Sequence, residues 1–345
     1  MSRAVASRLS VAATFAAALV LAGAAPGWAT GTVKADRLAG ADRYGTARAV
    51  TAEPAFSGTT VVVTSGESYP DALSAATYGA PVVLTTPASL PDQSRQALAD
   101  LRATRSAAIV VGGTAAVSDA VLEAVRALGY QVRRVAGADR FATAAQVAIE
   151  HAPVVVGGSS TAIVVSGRSF PDALAAAPTG LPLLLVEPDG VPDATEEAIA
   201  RQGIHHLVVV GGTAAVSDAV VGHLASQGRT ATRVAATTAA GTAAAVGNFE
   251  ITSLGFSPTT AILASSTSFP DGLTGGALGV AAKAPVVLVD TDLPAPSQEF
   301  LDRHAATFNR VVAVGGTATI SAATLEKARQ AAQSVTNDAA PQGRT

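Results

Sequence analysis

The sequence predicts an α/β protein made of three tandem modules, each a small doubly wound, Rossmann-like or flavodoxin-like sheet of parallel strands. Three observations predict it. A set of motifs returns three times in the same order, short apolar runs alternate with helical patterns inside each copy, and there is no cysteine, so the fold rests on ordinary cores. The repeat opens on RLAGADRYGTA (Arg37 to Ala47), RVAGADRFATA (Arg134 to Ala144) and a decayed RVAATTAAGTA (Arg233 to Ala243). The opening arginine therefore recurs after 97 and then 99 residues. Such a period makes each copy a domain-sized unit rather than a solenoid turn. Copies are expected at 33–130, 131–229 and 230–335, the third degenerate at its start, followed by a polar, disordered tail at 336–345.

Inside the second copy the elements follow in order. Ala162–Ser166 is a continuous apolar run ending in Ser-Gly, the pattern of a strand buried on both faces. Pro171 stands where a helix can begin, and Pro182 introduces a second strand at Leu183–Val186. A helix is expected from Glu196 to Gln202 with Gly203 as its left-handed cap, then a strand at Leu207–Val210. Ser217 is placed to cap a helix that reaches Gln227 and stops at Gly228. Strands alternating with helices imply right-handed βαβ units.

The first thirty residues read as an address. Arg3 and Arg8 precede an apolar run, Val11 to Ala25, too short to span a bilayer, and Gly27 and Ala29 flank a cleavage point; residues 1–29 have the layout of a secretory signal peptide. The formal charge is −3, and −5 once Arg3 and Arg8 leave with the signal (21 basic against 26 acidic residues). A mildly acidic chain lacks the basic face that nucleic-acid binding requires. No later stretch has membrane length, so no membrane contact is expected after cleavage.

Two further motifs carry the candidate chemistry. Ser68-Tyr69-Pro70-Asp71, Ser169-Phe170-Pro171-Asp172 and Ser268-Phe269-Pro270-Asp271 each follow a strand and open a helix, where ligands bind in open α/β sheets. The ring can stack on a sugar while hydroxyl and carboxylate orient its hydroxyl groups; alternatively the aspartate complements the helix dipole and the ring packs on a neighbouring module. Gly112-Gly113-Thr114 and its copies after the third strand lack the continuation of a phosphate loop, so their glycines serve a tight turn or a close backbone approach, a backbone anion nest being the lesser alternative. Arg43 and Arg140, each preceded by an aspartate that can cap the next helix, can bridge to a neighbouring module or grip a polymer phosphate or carboxylate. The third copy has Thr237, Thr238 and Ala239 instead, so whatever this motif does is expected at most twice. The five histidines do not recur between copies, and the G-x-S-x-G elbow and H-E-x-x-H are absent. No catalytic constellation, cofactor or metal site is expected.

Taken together, R-[LV]-A-G-A-D-R-[YF]-x-T-A, S-[YF]-P-D-A-L and V-V-G-G-T-A-A-V-S resemble the type 2 cell wall-binding repeat family over residues 33–335. The resemblance implies a pseudo-threefold unit, a monomer, that binds an anionic secondary wall polymer or peptidoglycan non-covalently at the Gram-positive cell surface, possessing no enzyme activity of its own. It also implies an anchoring role for a Pro-led aliphatic strand, here Val82, Val83 and Leu84; Leu183, Leu184 and Leu185; Val286, Val287 and Leu288. The residues themselves read as buried parallel strand. A net negative chain meeting an anionic polymer needs a local basic groove, built for instance from Arg43, Arg140 or Lys283, or a bridging divalent cation. Other readings are a wall-acting hydrolase or a modifier partnering one, and a self-assembling surface-layer protein.

Overall fold

The computed structural model describes residues 32–333; the signal peptide expected at 1–29 and the tail at 336–345 lie outside them. The first copy contributes β1 (Lys34–Leu38), α1 (Arg43–Thr51), β2 (Thr60–Ser65), α2 (Tyr69–Ala72), β3 (Val82–Thr85), α3 (Asp92–Leu101), β4 (Ala107–Val111) and α4 (Asp119–Ala127). The second gives β5 (Gln131–Val135), α5 (Arg140–Glu150), β6 (Val155–Val156), β7 (Ser159–Ser166), α6 (Pro171–Ala176), β8 (Leu183–Val186), α7 (Asp193–Arg201), β9 (His206–Val210) and α8 (Asp218–Leu224). The third gives β10 (Thr230–Val234), α9 (Ala239–Thr252), β11 (Thr260–Ser265), α10 (Phe269–Ala282), β12 (Val286–Val289), α11 (Ala295–Arg303), β13 (Arg310–Val314) and α12 (Ala322–Gln333).

These strands build three small parallel sheets. The first has the order β3-β2-β4-β5, the second β8-β7-β9-β10 with β6 antiparallel on β7, and the third β12-β11-β13-β1. The sheets are thus offset from the sequence period. The strand that opens each copy completes the sheet of the copy before it, and β1 closes onto β13 of the last, Lys34 facing Arg310. The opening arginine explains the offset. Arg134 Nη1 donates to the carbonyls of Gly112 at 2.7 Å and Val117 at 2.8 Å, and Nη2 to Asp119 at 3.0 Å. Arg233 repeats the pattern with Gly211, Val216 and Asp218, and Arg37 bonds the Gly315 and Ser321 carbonyls. Each arginine staples a donated strand to the Gly-Gly loop of the preceding copy. Arg134→Ala is expected to cost about 2–3 kcal/mol in urea unfolding, because a charge-assisted fork is lost and carbonyls are stranded. Arg134→Lys should recover little of it, since a point charge cannot reproduce the fork.

The three aliphatic strands are buried throughout, with no residue of Val82–Leu84, Leu183–Leu185 or Val286–Leu288 above 3 % exposure. Each is an outer strand of its sheet, yet each ends on a carbonyl met by a buried hydroxyl of the following helix. Ser94 Oγ donates to Leu84 O at 2.5 Å, Thr195 Oγ1 to Leu185 O at 2.7 Å and Ser297 Oγ to Leu288 O at 2.6 Å. Unpaired edge carbonyls inside a core are costly, and this recurring hydroxyl removes that cost.

Two helix boundaries differ from the expectations. The helix capped by Ser217, whose Oγ accepts from Val220 N–H, ends at Leu224 rather than Gln227. Gln227 and Gly228 both take positive φ (59° and 79°) to turn the chain into β10, a backbone state outside any helix. The preceding helix starts at Asp193 and ends at Arg201, one residue short of Gln202, and Gly203 takes φ 58° just beyond it.

Candidate functional site

The Ser-aromatic-Pro-Asp and Gly-Gly motifs lie side by side, because β2 and β4 (and likewise β7 and β9, β11 and β13) are hydrogen-bonded neighbours whose C-terminal ends open on one crevice. Across it the aspartate packs on the first glycine. A Cβ built on Gly112 would stand 3.4 Å from an Asp71 carboxylate oxygen; on Gly211, 2.7 Å from one of Asp172; on Gly315, 2.9 Å from one of Asp271. These glycines also take φ of 117°, 120° and 123°, so conformation requires all three, and at Gly211 and Gly315 space does as well. Burial raises the carboxyl pKa of Asp172 and of Asp271; the Ser268 hydroxyl, which donates to Asp271 at 3.2 Å, and the Arg43 charge pull Asp271 partly back. Ser68 and Ser169 are half-buried at the corresponding turns.

The aromatic residues converge. Tyr69, Phe170 and Phe269, one from each copy, form a closed triangle with ring centroids 5.6, 6.0 and 6.3 Å apart, and each ring remains partly exposed. Packing on neighbouring modules, one of the two alternatives for these rings, is therefore what they do, while their open edges stay available. Tyr69 also reaches the second copy through a hydroxyl bond of 3.4 Å to the Arg168 carbonyl.

Arg43 and Arg140 sit at junctions between copies. Arg43 donates to the Gly66 carbonyl after β2 and stands near Asp271 of the third copy. Arg140 donates to the Gly167 carbonyl at 2.8 Å, and its guanidinium lies 6.0 Å from the centre of the Tyr69 ring. At the junction of third and first copies a cavity of about 260 Å³ is lined by Asp42, Arg43, Ser268, Asp271, Gly316 and Thr319, together with neighbouring small residues. All three repeated motifs meet in it.

Asp42 and Asp139 cap their helices, accepting from Gly45 and Ala142 N–H at 2.8 Å. In the third copy Thr238 does the same for Gly241 at 3.0 Å. The expectation that this motif acts at most twice is corrected for its capping half: a threonine hydroxyl replaces the carboxylate. The cation is absent from that junction, where Ala239 follows the cap. The opening arginines acquire their role only from the fold; their constant spacing ahead of every cap is the signal the sequence offers for it. Lys283 lies apart, as the left-handed cap of α10. Among the described residues no group of three or more His, Asp or Glu side chains is placed to hold a metal, and no helix is long and apolar enough to cross a membrane.

A family model described as cell wall binding domain 2 (CWB2) matches the chain three times, at residues 37–122, 134–221 and 233–325. Among curated proteins, the chain is 31 % identical over 262 residues to N-acetylmuramoyl-L-alanine amidase LytC of Bacillus subtilis, covering 74 % of this chain and 50 % of that protein. It is 27 % identical over 300 residues to the Amidase enhancer of the same organism, covering 83 % of this chain and 39 % of the relative. The chain thus spans half or less of the length of these relatives. Solved structures of Cwp6 and Cwp8 from Clostridium difficile share the fold, with TM-scores of 0.74 and 0.72 at 23 % and 24 % identity. They cover 86 % and 87 % of this chain, which in turn covers 48 % and 52 % of theirs.

Proposed function

This chain belongs to the cell wall binding domain 2 family, and we propose from that premise that it is a secreted, non-catalytic module holding an anionic secondary polymer of the bacterial wall. The observation that carries the reading is the convergence of all three repeated motifs on the junction cavity beside Arg43. A guanidinium there can take a phosphate or carboxylate in bidentate fashion, the partly exposed triangle of rings can receive a sugar face, and serine and aspartate can bond its hydroxyl groups. The local cation answers the net negative charge of the chain: binding depends on the groove, not on the total. The three flavodoxin-like sheets, each in the strand order 2-1-3-4, are read as a pseudo-threefold unit around that triangle, and the unit as a monomer. Similarity to the Amidase enhancer supports a wall hydrolase as a partner.

The test is co-sedimentation of the chain with purified wall sacculi before and after acid extraction of their anionic polymers. Binding should vanish with the polymers and weaken as salt screens the contact. The Arg43→Ala, Arg140→Ala double variant should bind roughly tenfold or more weakly, as expected for lost charge-assisted bonds. Release of soluble fragments over time, or undiminished binding to bare peptidoglycan, would defeat the reading.

A further inference from the structure

A second feature lies beside the junction cavity, sharing Gly40 and Ala41 with it, in the groove between α1 and α3. Its volume is about 760 Å³, and its lining includes Arg48, Glu53, Gln93, Asp100 and Arg105. Three of the four charged groups among these are accounted for. Arg48 pairs with Asp100 at 2.9 Å, and Glu53 accepts both Nη atoms of Arg310, the shorter bond being 2.7 Å. Arg105 is left over. It is only 8 % exposed, its Nη atoms donate to the Phe56 carbonyl and the Thr104 hydroxyl, and its Nε has no partner among the described residues. Among the described residues no carboxylate lies within ion-pair distance of it.

The repeats show how unusual this is. Counted back from the Gly-Gly loop, the same position holds Ile204 in the second copy and Phe308 in the third, 3 % and 1 % exposed. The fold therefore asks for an apolar side chain here. The first copy instead buries a cation without a counter-charge, an arrangement that is costly unless something neutralises it. We propose that the α1–α3 groove is a binding site for an oxyanion, a phosphoryl or carboxylate group, neutralised by Arg105. The site exists once per chain, since neither other copy carries the arginine. It does not rest on the reading placed on the junction cavity.

The decisive comparison is wild type against Arg105→Ile, the residue the second copy uses. Removing an unpaired buried charge, Arg105→Ile should fold and melt higher than wild type in ligand-free buffer. Inorganic phosphate and acetate are titrated separately at constant ionic strength, with melting temperature as the readout and chloride as the reference for general salt effects. A rise specific to phosphate in wild type and absent from Arg105→Ile supports a phosphoryl ligand; the same pattern with acetate supports a carboxylate. A rise of equal size in both proteins, or none in wild type, overturns the site. Should Arg105→Ile fail to fold, the Arg105 Nε–H resonance of the wild-type chain serves instead: it must shift on titration with one of the two anions, and a resonance unmoved by both overturns the proposal.

Discussion

Glu250→Met is expected to stabilise the protein, by a margin that widens as pH rises. Glu250 lies on α9, is completely buried, and neither carboxylate oxygen has a hydrogen-bond partner among the described residues. One turn earlier Val246 packs into the core of the second copy, and the adjacent Ile251 packs on that of the third, so the carboxyl is caught where two cores meet. Burial drives its pKa well above the ordinary value of 4.5, with no charge contributing. The native state thus keeps a proton that the unfolded chain releases. This side chain's contribution is fully favourable below the unfolded pKa and is lost as pH climbs from about 4.5 toward the folded value, at about 1.4 kcal/mol per unit. Methionine matches the stem and carries no proton, so the gap between the urea midpoints of variant and wild type should be wider at pH 8 than at pH 5, other groups being common to both. Parallel pH profiles would show that the carboxyl has found a partner in solution.

Gly279→Ala should be among the most damaging single changes available, despite adding one methyl group. α10 runs unbroken through fourteen residues where the first two copies break into a short helix and a 3-10 turn, and it packs against both of those turns. It fits because glycines line it. A Cβ at Gly279 would lie 2.8 Å from Pro178 Cβ and 2.9 Å from the Ala284 carbonyl oxygen, and one at Gly272 would lie 2.4 Å from Leu174 Cδ1. One obstacle is backbone of the same copy and the other a stiff proline ring of the second, so relief requires both the C-terminal turn of α10 and the contact between modules to shift. A loss of about 3 kcal/mol or more is expected, at the upper end for overpacking. Gly222→Ala, in α8 with nothing within 4 Å of the added methyl, supplies the contrast: it should stabilise by about 0.5–1 kcal/mol. Equal melting temperatures for the two variants would mean that the packing around α10 yields.

What the sequence revealed follows the reach of each interaction. Ser217, Gly203, Pro171 and the aliphatic triplets act on their own neighbours, and a reader needs only those neighbours to place them. Asp71 against Gly112 was half legible: each motif declared itself, but their contact depends on β2 and β4 being adjacent strands. The donated strands were not legible, because a period gives the length of a unit and leaves its starting point free. Glu250 and Arg105 were hidden for another reason. A charged residue in a helix or loop reads as a solvated one, and only burial reveals that it stands where a core side chain belongs.

The pairing of β1 with β13 fixes the number of copies. In an open array each added repeat stacks on the last and the ends remain independent. Here the first strand is consumed by the last sheet, so a fourth copy would have to break an existing seam before it could join. The same closure makes unfolding a collective event, since no copy owns all four strands of its sheet. It also brings both ends of the described chain to one place: α12 packs against β1, so anything attached at either terminus would leave from the same flank of the third sheet. Cutting the chain between α4 and β5 and joining those ends should give a circular permutant with the same three sheets, the seam merely moved to another junction.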